Sequence, residues 1–343
     1  MSQPKLARKQ SGFGGRGYGI PGRTYPSPTN GKPLQLVYPS VTTILKQVAK
    51  PGLHQWIADQ TAAFAVMNVS YLMQVADEVA WRRLRFYWSG KPKEVAADIR
   101  TYHEGVRDDS AELGTNIHGY IEADTDDFAS HPPVDSDEMD EMVGAWEEWF
   151  SRHHVTIHGT EFTMVNDTHG WAGTADGDWT IECLHAPDDV DGLYCLGDTP
   201  GPYRTLVDVK SSRHTWMEHG YQLAGLANGE VLMVEATADT PGAQKVTKTE
   251  NGQRVTTYWL ETAPPAWEKY ALLHIRPDDL DKDGQLIPAF CKLIDMSEDM
   301  DLYADGFQGA YALTKTQRAL KERAKKRKRQ TVMLESPEYP ESN

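Results

Sequence analysis

A chain of 343 residues, 39% hydrophobic and 25% charged, is long enough to bury a sizeable core and too apolar to be wholly disordered. Its formal charge of −15 excludes little about polyanion partners, because that charge is unevenly spread along the chain. No run approaches the ~18 apolar residues of a membrane helix, the opening MSQPKLARKQSG has no apolar signal core, and Cys183, Cys195 and Cys291 are too scattered for a disulfide framework or CxxC metal ligands; the expectation is a soluble protein of a reducing compartment, the cytoplasm.

Residues 1–35 read as a flexible arm, because 10–33 are rich in Gly, Pro, Ser and Thr without an apolar period. Within it, residues 17–24 (GYGIPGRT) approach a phosphate loop with Arg23 where the lysine belongs. No hydrophobic strand precedes this run and no helix follows, so nucleotide binding and ATP use are not expected. Ser40 starts a short helix and Pro51 opens a second, as cap and first-turn preferences dictate. Helical patterns continue over 76–88, 93–106, 109–123 and 136–153. Residues 122–148 hold eleven acids and no Lys or Arg, read as a solvated helix face and linker.

From residue 155 the period changes. VTIHGTEFTMV and GWAGTADGDWTIEC alternate on either side of a turn at 166–170, which predicts a hairpin. After a Pro/Gly/Asp-rich insertion (185–202) come a β-branched strand, YRTLVDVKSS, and a helix over 217–233. Strands follow at 254–261, 268–276 and 286–292, and a last helix opens at Ser297 and runs into a basic tail. The order predicts one α/β domain over 36–312, a mixed β-sheet flanked by helices. Its helical opening is 36–153, its sheet core 154–312, and 313–343 is a basic extension.

The chemistry concentrates in 161–222. Asp208 and Lys210 are two apart on a strand, so both side chains leave the same face, ~6.5 Å apart. Burying such a pair on an apolar strand is costly without a partner or a purpose. Asp176, on the neighbouring hairpin strand, is positioned to meet Asp208 across the sheet. Two carboxylates make an oxygen-rich site for Mg²⁺ or Mn²⁺, and the lysine can orient a water and offset charge growing on a phosphate. Asp178 lies on the same predicted strand face and competes with Asp176, which is preferred because it directly follows AGTA.

This arrangement resembles the PD-(D/E)XK nuclease superfamily, and within it the RecB-like exonucleases that phages and CRISPR adaptation systems encode. The resemblance spans roughly residues 38–235. PSVTTIL followed by KPGLHQW looks like the helical opening of the phage members. Residues 114–118 (GTNIH) match a G-x-x-x-H helix, which implies that His118 joins the metal site. Glu161 in GTEFTMV matches an acidic position on the first hairpin strand, Asp176 the second-motif acid, and Asp208 with Lys210 the third-motif acid and lysine. Gln222 matches the glutamine of the next helix, beside the lysine and the DNA backbone; Ser211, following the lysine, is a DNA-contact candidate. Implied metal ligands are therefore His118, Glu161, Asp176 and Asp208, and implied catalytic residues Asp176, Asp208, Lys210 and Gln222. The family often has tyrosine four residues after the glutamine, where this chain has Leu226. Many relatives carry four cysteines for an iron–sulfur cluster, which three unclustered cysteines do not suggest here.

The tail has two readings. Residues 315–329 hold nine Lys/Arg and one Glu, a local +8 that leaves −15 − 8 = −23 for the rest. As a solvated helix the segment would start at Thr314, with Gln317 completing a capping box. As a DNA-holding element, Lys325, Lys326, Arg327, Lys328 and Arg329 would contact phosphates. The function expected is metal-dependent hydrolysis of linear DNA, most readily exonucleolytic, in phage recombination or processing alongside a recombination partner protein in the host cytoplasm. The rivals are a nuclease-derived DNA-binding accessory protein that does not cut, and an acidic assembly protein whose Asp208–Lys210 is a surface ion pair.

Overall fold

A computed structural model of the chain describes residues 7–10, 15–27, 30–48, 51–77, 91–124, 130–183, 201–250, 253–281 and 283–335. Three strands come first: β1 (Ala7–Gln10), β2 (Gly15–Pro26) and β3 (Pro33–Pro39), an antiparallel sheet in the order β1-β2-β3. Over the residues of these strands, the reading of 1–35 as a flexible arm is corrected. Glycines and prolines mask a strand alternation in which Tyr18 and Ile20 point the same way and are buried with Tyr38, Val165, Met233 and Trp259. Tyr18 shares a 2.7 Å hydrogen bond with Thr174, and the Arg23 guanidinium pairs with both Asp167 and Glu261. The run that approached a phosphate loop is thus a strand, its arginine a clamp between distant segments.

The helical opening follows as α1 (Val41–Leu45), α2 (Pro51–Met67), α3 (Val69–Asp77), α4 (Lys91–Asp124) and α5 (Asp137–Arg152). Ser40 caps α1, its Oγ accepting from Thr43 N at 3.0 Å; Ser136 caps α5, whose first turn carries Asp137, Glu138 and Asp140 against the positive end of the dipole. The helix read at 76–88 falls mostly on residues outside those described. Those read at 93–106 and 109–123 are one helix, since Arg107 and Asp108 between them contain no breaker. In α5, Met139, Met142, Val143, Trp146 and Trp149 are buried, while Glu138, Asp140, Glu147 and Glu148 are exposed, the solvated acidic face expected.

The remaining elements are β4 (Thr156–Asn166), β5 (Trp171–Cys183), β6 (Gly201–Lys210), α6 (Met217–Ala227), β7 (Val231–Ala236), β8 (Gln244–Glu250), β9 (Gln253–Thr262), β10 (Lys269–Arg276), β11 (Asp279–Leu280), β12 (Leu286–Ile287), β13 (Phe290–Asp295) and α7 (Met300–Glu335). Eight strands form one mixed sheet, β13-β10-β6-β5-β4-β7-β9-β8, in which β6 and β10 are parallel and the other neighbours antiparallel. Helices α4 and α5 cover one face, burying Ile117, Trp146 and Trp149 against Val207, Val209 and Leu273. Helices α1, α6 and α7 cover the other, burying Ile44, Leu223 and Phe307 against Leu206 and Leu272. Strand β6 is therefore enclosed on both faces, which is why TLVDV carries a single charged side chain among mostly apolar ones.

Two boundaries differ from the sequence reading. The helix read over 217–233 ends at Ala227, and Val231–Ala236 is strand β7, where β-branched residues pair with β4 and β9. The strand read at 286–292 is split into β12 and β13. The glycines inside α6 have a packing reason. A Cβ on Gly220 would meet the Tyr303 ring of α7 at 2.5 Å, and Gly306 of α7 lies against the Tyr221 ring in return, so the two helices interlock ring into glycine. Helix α7 runs unbroken past residue 314; Thr314 lies inside it and donates to Ala310 O at 2.9 Å, so it caps nothing. No helix among the described residues is long and apolar enough to cross a membrane.

Candidate metal centre

Strands β5 and β6 are hydrogen-bonded from Cys183↔Gly201 to Gly177↔Val207. One step beyond the last pair, Asp176 faces Asp208, and Val209 N donates to Asp176 Oδ2 at 2.7 Å. On β4, Glu161 sits between the pairs Thr160↔Gly177 and Phe162↔Ala175, opposite Asp176. Glu161, Asp176 and Asp208 thus form a row across three neighbouring strands. Glu161 adopts a left-handed backbone, φ +50°, rare for a residue with a side chain and a strain that surrounding structure must hold.

The row lies where β5 changes face. Ala175 packs in the α1–α6–α7 layer, yet Gly177 lies beneath the ring of Trp179, which packs in the α4–α5 layer. Strict alternation would put 175 and 177 on one side. The two acids that compete for the site are separated by their partners. Both oxygens of Asp178 are engaged: Oδ1 accepts from Arg204 Nε at 3.0 Å and Trp267 Nε1 at 2.9 Å, and Oδ2 from Arg204 Nη2 at 2.8 Å. Asp178 has a structural partner set, and Asp176 is left at the row.

Helix α4 brings His118 to the same point, its Nδ1 3.8 Å from Asp176 Oδ2. Ligand atoms of His118, Glu161 and Asp176 all lie within 4.8 Å of one another. Two ligands on one divalent cation, each ~2.0–2.5 Å away, lie at most ~4–5 Å apart, a separation of the same order. Two carboxylates and an imidazole could hold a divalent cation, so the residues present fit such an ion. The glycine of the G-x-x-x-H run makes the approach possible: a Cβ on Gly114 would lie 2.6 Å from Ser211 Oγ, just past the end of β6. Ser211, read as a DNA-contact candidate, packs here on α4.

Asp208, the fourth residue of the expected ligand set, does not converge with those three. Fully buried, it is held by Lys210 Nζ at 2.5 Å from Oδ2 and by Gln222 Nε2 donating to Oδ1 at 3.1 Å. Gln222, expected beside the lysine, reaches that position from α6 by gripping the same carboxylate. Burial raises the Asp208 carboxyl to about 7 against the pull of Lys210. Burial also raises Asp176, with Glu161 adding to it. Burial opposes the charge on Lys210, but Asp208 and Asp176 outweigh it and the ammonium is stabilised.

A cavity of about 120 Å³ opens on Glu161 and Asp176 from the α1–α6 side, lined by Tyr18, Ser40, Thr42, Thr174 and Gln222. A smaller one on the α4 side is lined by His118, Glu122, Thr160 and the same two acids. The hydroxyls of Tyr18, Ser40 and Thr42 were not anticipated, because their segments read as arm and cap.

Other expected residues lie away from the centre. Cys291 is buried, and burial pushes its thiol up; Cys195 and the Cys183 side chain lie outside the described residues. Lys325 and Arg327 are exposed on α7, Lys325 pairing with Glu322, while the side chains of Lys326, Lys328 and Arg329 are outside the described set. No protein-family model matches the chain, and no curated protein sequence is similar enough to name a relative.

Proposed function

We propose that the protein is a divalent-metal-dependent DNA nuclease of the PD-(D/E)XK kind, close in plan to the RecB-like phage exonucleases. The observation that carries this reading is the row Glu161–Asp176–Asp208 across three strands, joined by His118 from one side of the sheet and by Lys210 and Gln222 at its far end. His118, Glu161 and Asp176 would hold Mg²⁺ or Mn²⁺. When bound, the ion supplies acidity to water and neutralises charge at the scissile phosphate. Lys210, fixed by Asp208, orients the attacking water and stabilises charge that grows on the phosphate as it is attacked. Gln222 holds Asp208 in place and so sets the lysine. Linear DNA with free ends is the proposed substrate, in recombination or processing of phage DNA in the host cytoplasm with a recombination partner protein; ATP and an iron–sulfur cluster have no place in the scheme.

Linear DNA incubated with the protein and Mn²⁺ or Mg²⁺ should shorten, and a chelator should stop it. A non-cutting DNA-binding accessory protein is the second reading, favoured by one feature: both oxygens of Asp208 are already engaged by Lys210 and Gln222. Binding of DNA without cleavage under either metal would decide for it.

A further inference from the structure

Along α7, Tyr303, Phe307, Ala310 and Thr314 recur at intervals of four, three and four residues, one stripe of the helix. Tyr303 covers Gly220 and Phe307 covers Gly225, both of α6; Phe307 and Ala310 are buried against the layer that includes Ile44 of α1. Beyond Thr314 the stripe continues at the same spacing, four, three and four, as Arg318, Lys321 and Lys325. All three are exposed, on the side of the helix that is buried at Ala310 and half-buried at Thr314. Arg323 and Arg327 project from the opposite side, ~170° around. The face that grips the domain thus passes from aromatic to cationic just where the domain stops covering it. From Thr314 to Glu335 the helix extends ~30 Å.

The root of this extension is at the candidate metal centre. Helices α1 and α6, on which α7 packs, also supply Val41, Thr42, Gln222 and Leu226 to the cavity that opens on Glu161 and Asp176. Residues 315–335 contain no aromatic side chain to stack on unpaired bases, and nine of them are Lys or Arg. A straight row of cations without stacking groups suits the phosphate backbone of a duplex. The remaining chain, at −23, would repel DNA, which makes a local cationic guide necessary.

We propose that the C-terminal part of α7 is a guide arm that lies along double-stranded DNA leading to the centre, with Arg318, Lys321 and Lys325 turned to the duplex. This rests on the centre acting on DNA, and its test is independent of cleavage. Binding of a linear duplex to the full chain is measured in chelator over a range of salt, for two charge-matched variants. Lys321→Gln with Lys325→Gln should weaken binding and flatten the slope of log affinity against log salt by about 1–2, each lost phosphate contact removing ~0.9. Arg323→Gln with Arg327→Gln, which removes the same charge seven residues or fewer away, should change the slope by less than about half of that. Equal effects of the two pairs would overturn the oriented arm, and no effect of either would overturn the arm altogether. A greater loss of binding to a single-stranded oligonucleotide than to duplex would overturn the choice of duplex. A change in sedimentation mass with an unchanged salt slope would overturn it in favour of docking on the acidic α5 face of a second copy. Duplex binding with the expected split but no cleavage in Mn²⁺ would leave the arm standing and remove the nuclease.

Discussion

Replacing Lys210 by methionine should lower turnover of linear DNA by at least about a hundredfold, roughly 2.7 kcal/mol of transition-state stabilisation. Lys210 stands 2.5 Å from a fully buried carboxylate, so its charge is held in place before any substrate arrives. Methionine keeps the packing of the stem and removes only the ammonium. Removing one partner of a buried pair ordinarily costs about 3–5 kcal/mol of stability. Asp208 offers relief, since burial already raises its carboxyl to about 7 and a proton can replace the lysine. The variant should therefore be most stable below neutral pH and lose stability as the pH rises and Asp208 must ionise alone. Single-turnover cleavage in Mn²⁺ at saturating DNA, beside thermal melts at pH 6 and 8, checks both parts. Cleavage near the wild-type rate would remove Lys210 from the chemistry.

Asp176→Asn should abolish cleavage and yet stabilise the metal-free protein. Asparagine can still accept from Val209 N, the bond that holds Asp176 at 2.7 Å. What it removes is a buried negative charge facing Glu161, both of which raise the Asp176 carboxyl above its ordinary value. The folded state then holds the Asp176 proton more tightly than the unfolded chain does. Wild-type stability from this group is intact below about pH 4, the unfolded value, and is lost as the pH climbs through the raised one. The variant cannot ionise there, so in chelator its melting temperature should match the wild type at acid pH and exceed it at pH 8, by on the order of 2–4 °C. Added Mn²⁺ should reverse the ranking by stabilising only the wild type. A variant less stable than wild type at pH 8 in chelator would mean that the row carries no uncompensated charge.

The sequence shows the chemistry of this site better than its geometry. Asp208 and Lys210 share a face of β6 and do pair, because side chains two apart on a strand must leave the same side. Asp176 and Asp178, which alternation leaves equivalent, are told apart only by tertiary partners: Asp178 is taken up by Arg204 and Trp267, while Asp176 meets Val209 N and His118. His118 meets the acids only through tertiary packing, in which Gly114 lets α4 approach Ser211; the helix period by itself says nothing of that. The N-terminal sheet was missed because Gly and Pro hide the two-residue alternation of Tyr18 and Ile20. The β8–β9 pair carried a signal that went unused: Asn251-Gly252, a favoured hairpin dipeptide, stands between the two strands.

The central claim, that His118, Glu161 and Asp176 hold one divalent cation, is tested most directly by titrating Mn²⁺ into the folded protein in a calorimeter. The account predicts saturable binding by the wild type, its loss in Asp176→Asn and in Glu161→Gln, and a smaller loss in His118→Ala, since a neutral ligand contributes less than a carboxylate to holding a hard cation. Mn²⁺ affinity that survives replacement of both Asp176 and Glu161 would contradict it.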